Sequence, residues 1–342
     1  MADISKIELE DVVYDIKDTT ARSDITTLSS ALNGKISNVT GITTENFKVY
    51  LDADTGSDDN NGLTNANAMK TLDGVFEKYG NKGQTNLWLF FNPGDYELNC
   101  QNLNNFAMHW MIKSNTNGNV TITFKNTMYD VDPANVDIAF YECHLKVVGN
   151  YASNSQKIFL KGSNTCRRIY FDSGGLATED GVELQDLALA FHGSCLEARR
   201  TTIPELQTSC SALRIETSSR IGAIEGYSST IYFGNNTTFT QDKVYNTQNN
   251  QITLYNCEIQ LGGVTYIDLQ ETPSKPNFIN MLGGRVGFSA NFNKNGSSTY
   301  TGNSTLNSVV MNCNQNHYNS FKAVTNSVTV NNECIYRSDL TL

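Results

Sequence analysis

The chain has 342 residues, of which 39% are hydrophobic and only 18% charged, and its formal net charge is -10. This acidic balance argues against nucleic acid as a partner, because nucleic-acid binding depends on clustered Lys and Arg. No run approaches the roughly 18 apolar residues that span a bilayer, and the beginning MADISKIELED is acidic. We therefore expect no membrane partner, and synthesis in the cytoplasm without a signal peptide.

The composition favours β-structure. Only 5 residues are proline, whereas 25 are glycine, and Asn, Ser and Thr fill much of the rest. Asn and Gly tolerate the left-handed backbone of turns, and Thr is at home in strands. The 8 cysteines include no Cys-x-x-Cys pair, so we expect them to be reduced. A small leading element and one long β-rich body are predicted.

The chain begins with a predicted hairpin and a short helix. Ile7 and Leu9 alternate with charged residues before a turn, and Tyr14 and Ile16 alternate after it. Ile25, Leu28 and Leu32 then occupy a, d and a positions of a heptad. The stripe is too short for an independent coiled coil, but it could start a parallel bundle of identical subunits. A surface helix that packs on its own chain explains it equally well.

Residues 37–46 are a polar linker, and the segment after them is the most informative in the chain. FKVYLDADTGSDDNNGLT predicts a strand and an Asp-rich loop, and NAMKTLDGVFEKYG predicts a helix that buries Met69, Leu72, Val75 and Phe76. NLWLFFNPGDYEL predicts an apolar strand that Pro93 and Gly94 end.

Short strand-like runs recur through the rest of the chain between Gly, Asn and Ser breaks, for example VTITF at Val120, STIYFG at Ser229 and QITLYNCEIQL at Gln251. Several cysteines are separated by one or two multiples of a 21 to 23 residue interval, such as Cys143 and Cys166. Such intervals are typical of stacked repeats. They predict an all-β right-handed parallel β-helix, a solenoid. A β-sandwich is the alternative, but it does not explain the leading helix.

Two segments resemble known families. The order of strand, DADTGSDDNNGLT, short helix and strand closed by NPGDY resembles the N-terminal end of the parallel β-helix in the pectate-lyase-like superfamily, common in phage tailspikes. VVYDIKDTTARSDI is similar to the leading segment of phage tail or head fibre proteins. The resemblance implies a virion setting and a homotrimer. It transfers no catalytic residue, because both motifs are architectural.

The Asp-rich loop is a candidate metal site. Asp52, Asp54, Asp58 and Asp59 offer the oxygen ligands that Ca²⁺ takes, although the EF-hand spacing is absent. Tight turning, with Asp and Asn side chains binding backbone amides, explains the same residues without a metal. No other cofactor is predicted.

Acidic residues in the middle of the chain are candidates for catalysis. Asp172, Glu183 and Asp186 could supply the two carboxylates of a polysaccharide hydrolase. A solvated acidic surface is the alternative. The sequence shows no group of residues typical of a lyase. An enzyme that cleaves polysaccharide, as hydrolase or lyase, is the second hypothesis.

Tyrosines in polar surroundings are candidates for sugar binding, because their rings offer a flat apolar face and a polar edge. The candidates are Tyr227, Tyr245, Tyr266, Tyr300 and Tyr318. Packing in the core is the alternative for each.

These observations predict a structural phage virion protein, made in the host cytoplasm. Residues 1–36 would attach a fibre or spike to other virion proteins, and residues 47–289 would form the β-helix body that binds host-surface glycan. Residues 290–342 would continue the β-helix or form a distinct tip. The alternatives are a tailspike depolymerase and a purely architectural head fibre or baseplate component.

Overall fold

The computed structural model describes residues 6–9, 12–15, 47–79, 86–99, 109–116, 118–125, 137–141, 144–149, 157–172, 174–240, 250–269, 277–296, 298 and 302–331. The chain divides into two compact units, Met1–Thr44 and Glu45–Leu342. In the first unit, β1 (Lys6–Leu9) and β2 (Val12–Asp15) pair antiparallel. The predicted hairpin is therefore confirmed.

The larger unit is built mainly of strands, and the prediction of an all-β fold is confirmed. Its strands are β3 (Phe47–Leu51), β4 (Asn86–Phe91), β5 (Gly94–Asn99), β6 (His109–Ser114), β7 (Val120–Lys125), β8 (Asp137–Tyr141), β9 (His144–Val148), β10 (Ile158–Lys161), β11 (Arg168–Asp172), β12 (Gly175–Gln185), β13 (Ala188–His192), β14 (Cys195–Ser209), β15 (Ala212–Glu216), β16 (Arg220–Tyr227), β17 (Thr230–Phe233), β18 (Thr237–Phe239), β19 (Asn250–Leu261), β20 (Thr265–Ile267), β21 (Asn277–Phe288), β22 (Phe292–Lys294), β23 (Asn303–Asn307), β24 (Val310–Cys313) and β25 (Val328–Asn331).

Two α-helices lie among the described residues, α1 (Leu72–Tyr79) and α2 (Gln315–Ala323), together with a 3-10 turn at Asn65–Asn67. Helix α1 buries Leu72, Val75 and Phe76, as their spacing predicted. Helix α2 was not predicted. The Asn314 side chain accepts a hydrogen bond from the His317 amide and so caps its first turn.

Every pairing between strands of the larger unit, over the described residues, is parallel, and each strand pairs with one that follows it by one to three places. The separation in sequence of paired residues varies, from 40 at Val49 and Leu89 to 17 at Ala198 and Ile215. A sandwich is built from antiparallel strands. The β-sandwich alternative is therefore wrong for this part of the chain.

The core follows from this register. Because side chains alternate between the two faces of a strand, buried residues of successive strands stand opposite one another. One such file of buried partners is Leu89, Ile112, Val147, Thr178, Ala198, Ile215, Phe233, Leu261 and Phe288. The residues before and after each of these point to the other face, so they form files of their own on the outside.

The parallel pattern continues beyond residue 290, where β20 pairs with β22 and β21 pairs with both β23 and β24. Helix α2 packs against β22 and buries Tyr318 and Phe321. The predicted division of the chain at residues 36, 46 and 289 stays a prediction.

Candidate functional site

A groove of about 450 Å³ lies on the outer face of the sheet that contains β4, β6, β9, β12, β14 and β15. One wall is a single outward file, in which each residue is the register partner of the next. The file is Trp88, Met111, Lys146, Ala177, Glu197 and Arg214. Neighbouring strands are about 4.8 Å apart, so the file spans roughly 24 Å. That length matches several sugar units in a row.

Small residues form the floor of the groove. The neighbouring outward file contains Gly175, Cys195, Ala212 and Thr230, each the partner of the next, and all four line the groove. None of these side chains is long. The long side chains of the first file, such as Trp88, Lys146 and Arg214, therefore form one wall of the groove.

Aromatic rings gather at one end of the groove. The Lys48 ammonium lies 5.9 Å from the centre of the half-buried Trp88 ring. The centre of the Phe90 ring is 6.2 Å from that of Trp88, and it stacks on Tyr50 at 5.1 Å. A half-exposed aromatic face of this kind suits the apolar face of a sugar ring.

Ion pairs occupy the middle of the groove, at Lys146, and its other end, at Arg214. Arg214 lies 5.5 Å from the centre of the Tyr232 ring, and its hydrogen bond to Glu216 raises the pKa of its guanidinium. The Lys146 ammonium lies 2.9 Å from the Glu179 carboxylate. Exposed pairs of this kind contribute little to stability. Among the charged residues that line the groove, Lys146 and Arg214 are hydrogen-bond donors and Glu197 is an acceptor.

The predicted sugar-binding residue Tyr227 lies on a different outer face and is 45% exposed. Its ring is nearly parallel to that of Tyr255, with the centroids 4.9 Å apart and an angle of 8° between the planes. The register partner on its other side is the small Ser209, and the partner beyond Tyr255 is the exposed Leu282. Tyr227 is therefore a second aromatic platform.

A repeated turn holds Tyr227 in place. After Ser209 and Tyr227, the chain passes through a left-handed residue, Cys210 (φ 50°) or Ser228 (φ 48°). A serine follows in each case: the Ser211 hydroxyl donates to the Ser209 carbonyl, and the Ser229 hydroxyl accepts from the Ser211 amide. Because the serines stack from strand to strand, the preceding residues are aligned as well.

We expect the Tyr227 phenol to titrate at an unusually high pH. Its hydroxyl donates to the Glu225 carboxylate at 2.7 Å, and this hydrogen bond, helped by burial, raises the pKa of Tyr227 to about 12. The bond stabilises the folded chain below the ordinary pKa near 10, and this contribution is lost as pH rises through about 12. The difference in phenolate absorbance between the native chain and Tyr227→Phe measures the titration. Glu225→Gln should return the pKa towards 10, and an unchanged titration would contradict the hydrogen bond.

The strand register connects Asp172 to Tyr227 through two intermediate residues. Asp172 is the register partner of His192, His192 of Ser209 and Ser209 of Tyr227. Three strand spacings separate Asp172 from Tyr227, about 14 Å across these strands. From the sequence, Asp172 was a candidate for catalysis and Tyr227 a candidate for sugar binding, and nothing predicted that one strand register connects them.

The other catalytic candidates have different surroundings. Glu183, on β12, forms an ion pair with Lys157. Asp186 is exposed and lies in a turn with a left-handed backbone, φ 51°. Nothing in these contacts arranges the two carboxylates around one bond of a substrate, so their catalytic role stays a prediction.

The carboxylates of the Asp-rich loop bind backbone amides. Asp52 accepts hydrogen bonds from the Asp54 and Thr55 amides and from Asn92, and although burial opposes the shift, these bonds lower its pKa. Asp58 accepts from the Lys70 and Thr71 amides just before α1.

A side-chain cation already occupies the carbonyl oxygens of this loop. The Lys78 ammonium donates to the carbonyls of Asp58, Asp59 and Asn60. Within the described ranges, no group of three or more His, Cys, Asp or Glu residues is arranged to hold a metal ion. This geometry favours the explanation in which the acidic residues turn the loop.

The remaining sequence candidates fall into three groups. Tyr266 is half-buried on β20. Tyr318 is 2% exposed, which excludes the stacking role predicted for it, because α2 turns its ring into the core. The candidates Tyr245, Tyr300, Ile16, Ile25, Leu28 and Leu32, and the side chain of Tyr14, lie outside the described residues.

Trp88, Lys146, Glu197 and Arg214 were not predicted as site residues. Each lies in a different strand, and no motif joins them. The one sequence signal was the outward position of Trp88 in the alternation of NLWLFF, where Leu87, Leu89 and Phe91 are buried.

No family model matches the chain, and no curated protein matches it. Among solved structures, the chain is similar to a GH136 lacto-N-biosidase from Eubacterium ramulus, a selenomethionine derivative, with a TM-score of 0.38 and 9% identity over 86% of this chain and 68% of the other. A likeness this weak carries no argument about activity. In the part of the chain that the structure describes, no helix is long and apolar enough to cross a membrane.

Proposed function

We propose that this chain is a structural subunit of a phage virion, a fibre or spike that binds host-surface glycan along the groove that begins at Trp88. The groove carries the glycan part of the proposal. It combines an aromatic end, a floor of small residues and a wall of paired charges, with a length that fits an extended oligosaccharide. Sites for polar ligands commonly join apolar surface with a few placed polar groups in this way.

The proposed architecture of the body is a right-handed parallel β-helix. Parallel pairing of each strand with one slightly later in the chain supports it, as do the stacked files of buried residues. Parallel crossovers are right-handed in about 98% of cases. A density map of the particle would test the architecture, and a closed sheet without successive coils would contradict it.

The virion setting rests on the resemblance of Val12 to Ile25 to the leading segments of phage fibres. We propose that residues 1–36 bind other virion proteins and that three chains assemble side by side. Three copies of one weak glycan site would raise the avidity of the particle for its host. Stable monomers at micromolar concentration, measured by mass photometry or ultracentrifugation, would contradict the trimer. Locating the chain on the particle by imaging distinguishes a receptor-binding fibre from a purely architectural part.

Replacing Trp88 by alanine is expected to weaken binding to purified host-envelope polysaccharide by roughly tenfold or more, because tryptophan is enriched among the residues that dominate binding energy. Binding is measured by calorimetry or biolayer interferometry on the full chain. Tyr170→Ala, a half-buried tyrosine on β11 that does not line the groove, is the control and should bind as the native chain does. Equal affinities of Trp88→Ala and the native chain would contradict the groove. Reducing ends released in the same incubation would instead support the depolymerase alternative.

A further inference from the structure

A polar pocket of about 580 Å³ lies away from the groove, at the corner that joins the end of β10 to the beginning of β11. Its lining combines two basic side chains with hydroxyl, amide and carboxylate groups. The residues are Thr123, Lys161, Ser163, Asn164, Arg167 and Asp186.

A tight turn brings the two basic residues to the same pocket. The Ser163 and Cys166 backbones each donate to the other's carbonyl, at 2.7 and 3.3 Å, which folds residues 162–167 back on themselves. Lys161 and Arg167 are the exposed residues on the two sides of this turn. Gly162 anchors the turn, because its amide donates to the Gln185 carbonyl at 2.8 Å.

The charges of the pocket are not balanced in pairs. Among the described residues, neither the Lys161 ammonium nor the Arg167 guanidinium forms an ion pair, whereas Lys157, Lys146 and Arg200 each do. Two neighbouring cations repel each other, and an anion between them removes that repulsion. With one carboxylate, Asp186, beside these two cations, the pocket lining carries a net positive charge in a chain whose net charge is -10.

We propose that this pocket binds the anionic group of a charged saccharide, a carboxylate or a phosphate. The Arg167 guanidinium can hold two oxygens of such a group at once, and Lys161 adds a point charge. Ser163, Asn164 and Thr123 offer donors, and Asp186 offers an acceptor to the sugar hydroxyls. The site is separate from the groove and goes beyond the proposed function, since it distinguishes charged glycans from neutral ones.

The test is calorimetric titration of the full chain with three probes. A hyaluronan tetrasaccharide carries carboxylates, a glycerol phosphate oligomer carries phosphates, and maltotetraose is neutral. We expect at least one anionic probe to bind, with an affinity that falls as salt is added. Replacing both Lys161 and Arg167 by methionine should weaken that binding by roughly tenfold or more, because two charge-assisted contacts are lost.

The matched control replaces Lys70 and Arg285, two exposed cations elsewhere, by methionine, and so removes the same net charge. It should bind the anionic probe within about twofold of the native chain, since long-range attraction is screened by salt. Asp186→Asn should bind the anion more tightly, because a like charge leaves the pocket. Absence of binding by both anionic probes, or equal losses in the two double variants, would overturn the site. Binding of a neutral host glycan that depends on Trp88 would survive that result, so the two proposals fail separately.

Discussion

Replacing Phe278 by alanine is expected to lower the free energy of unfolding by about 3–5 kcal/mol, the largest effect of any single change considered for this chain. Phe278 is fully buried in β21. Its ring contacts those of Phe239, Phe292 and Phe321 in tilted or edge-to-face arrangements, with centroid distances of 5.4, 6.5 and 6.4 Å. The substitution removes the buried ring and leaves a cavity among three side chains that cannot all move to fill it.

The measurement is denaturant unfolding of the full chain. Leu282→Ala is the matched control, because Leu282 lies in the same strand but is 47% exposed, and it should change the free energy by less than about 1 kcal/mol. Hydrogen exchange should show the loss of protection first in β19 and β21, which pair along their length. A loss below about 1 kcal/mol in Phe278→Ala would contradict the packing of this aromatic cluster.

Replacing Gly162 by alanine is expected to destabilise the chain by about 1–3 kcal/mol and to abolish anion binding in the pocket beside it. A Cβ atom at Gly162 would lie 1.9 Å from the Asp186 carbonyl oxygen and 2.8 Å from its carbon. These are backbone atoms of the adjacent turn, so no side-chain rotation relieves the clash. The turn that carries Lys161 and Arg167 must therefore move away from Asp186.

Gly296→Ala is the control, since a Cβ atom at Gly296 meets nothing within 4 Å. Unfolding free energy and affinity for the anionic probe are measured on both variants. If Gly162→Ala retains both the native stability and the native affinity, the close approach of the two turns is wrong. If it loses stability but keeps the affinity, the turn does not position the two cations.

The cysteine spacing predicted one interval of about 21 to 23 residues, whereas the separation of register partners in the structure is not constant. Paired residues are 40 positions apart at Val49 and Leu89 and 17 apart at Ala198 and Ile215. The number of residues between paired strands varies along the chain, so a single period could not be found in the sequence. The sequence did not predict helix α2, because QNHYNSFKA contains few apolar residues. Packing of Tyr318 and Phe321 on β22 stabilises this helix.

Local sequence alone determined the all-β class, the first hairpin, and the helix that buries Leu72, Val75 and Phe76. Alternation, turn residues and helical spacing act within about ten neighbouring residues, so they can be identified without the fold. Only the tertiary structure decided which outward side chains meet, because strand register joins residues that are far apart in the chain. Trp88 and Arg214 line one groove and Lys161 and Asp186 line one pocket for that reason, whereas Tyr318 is buried because α2 packs against β22.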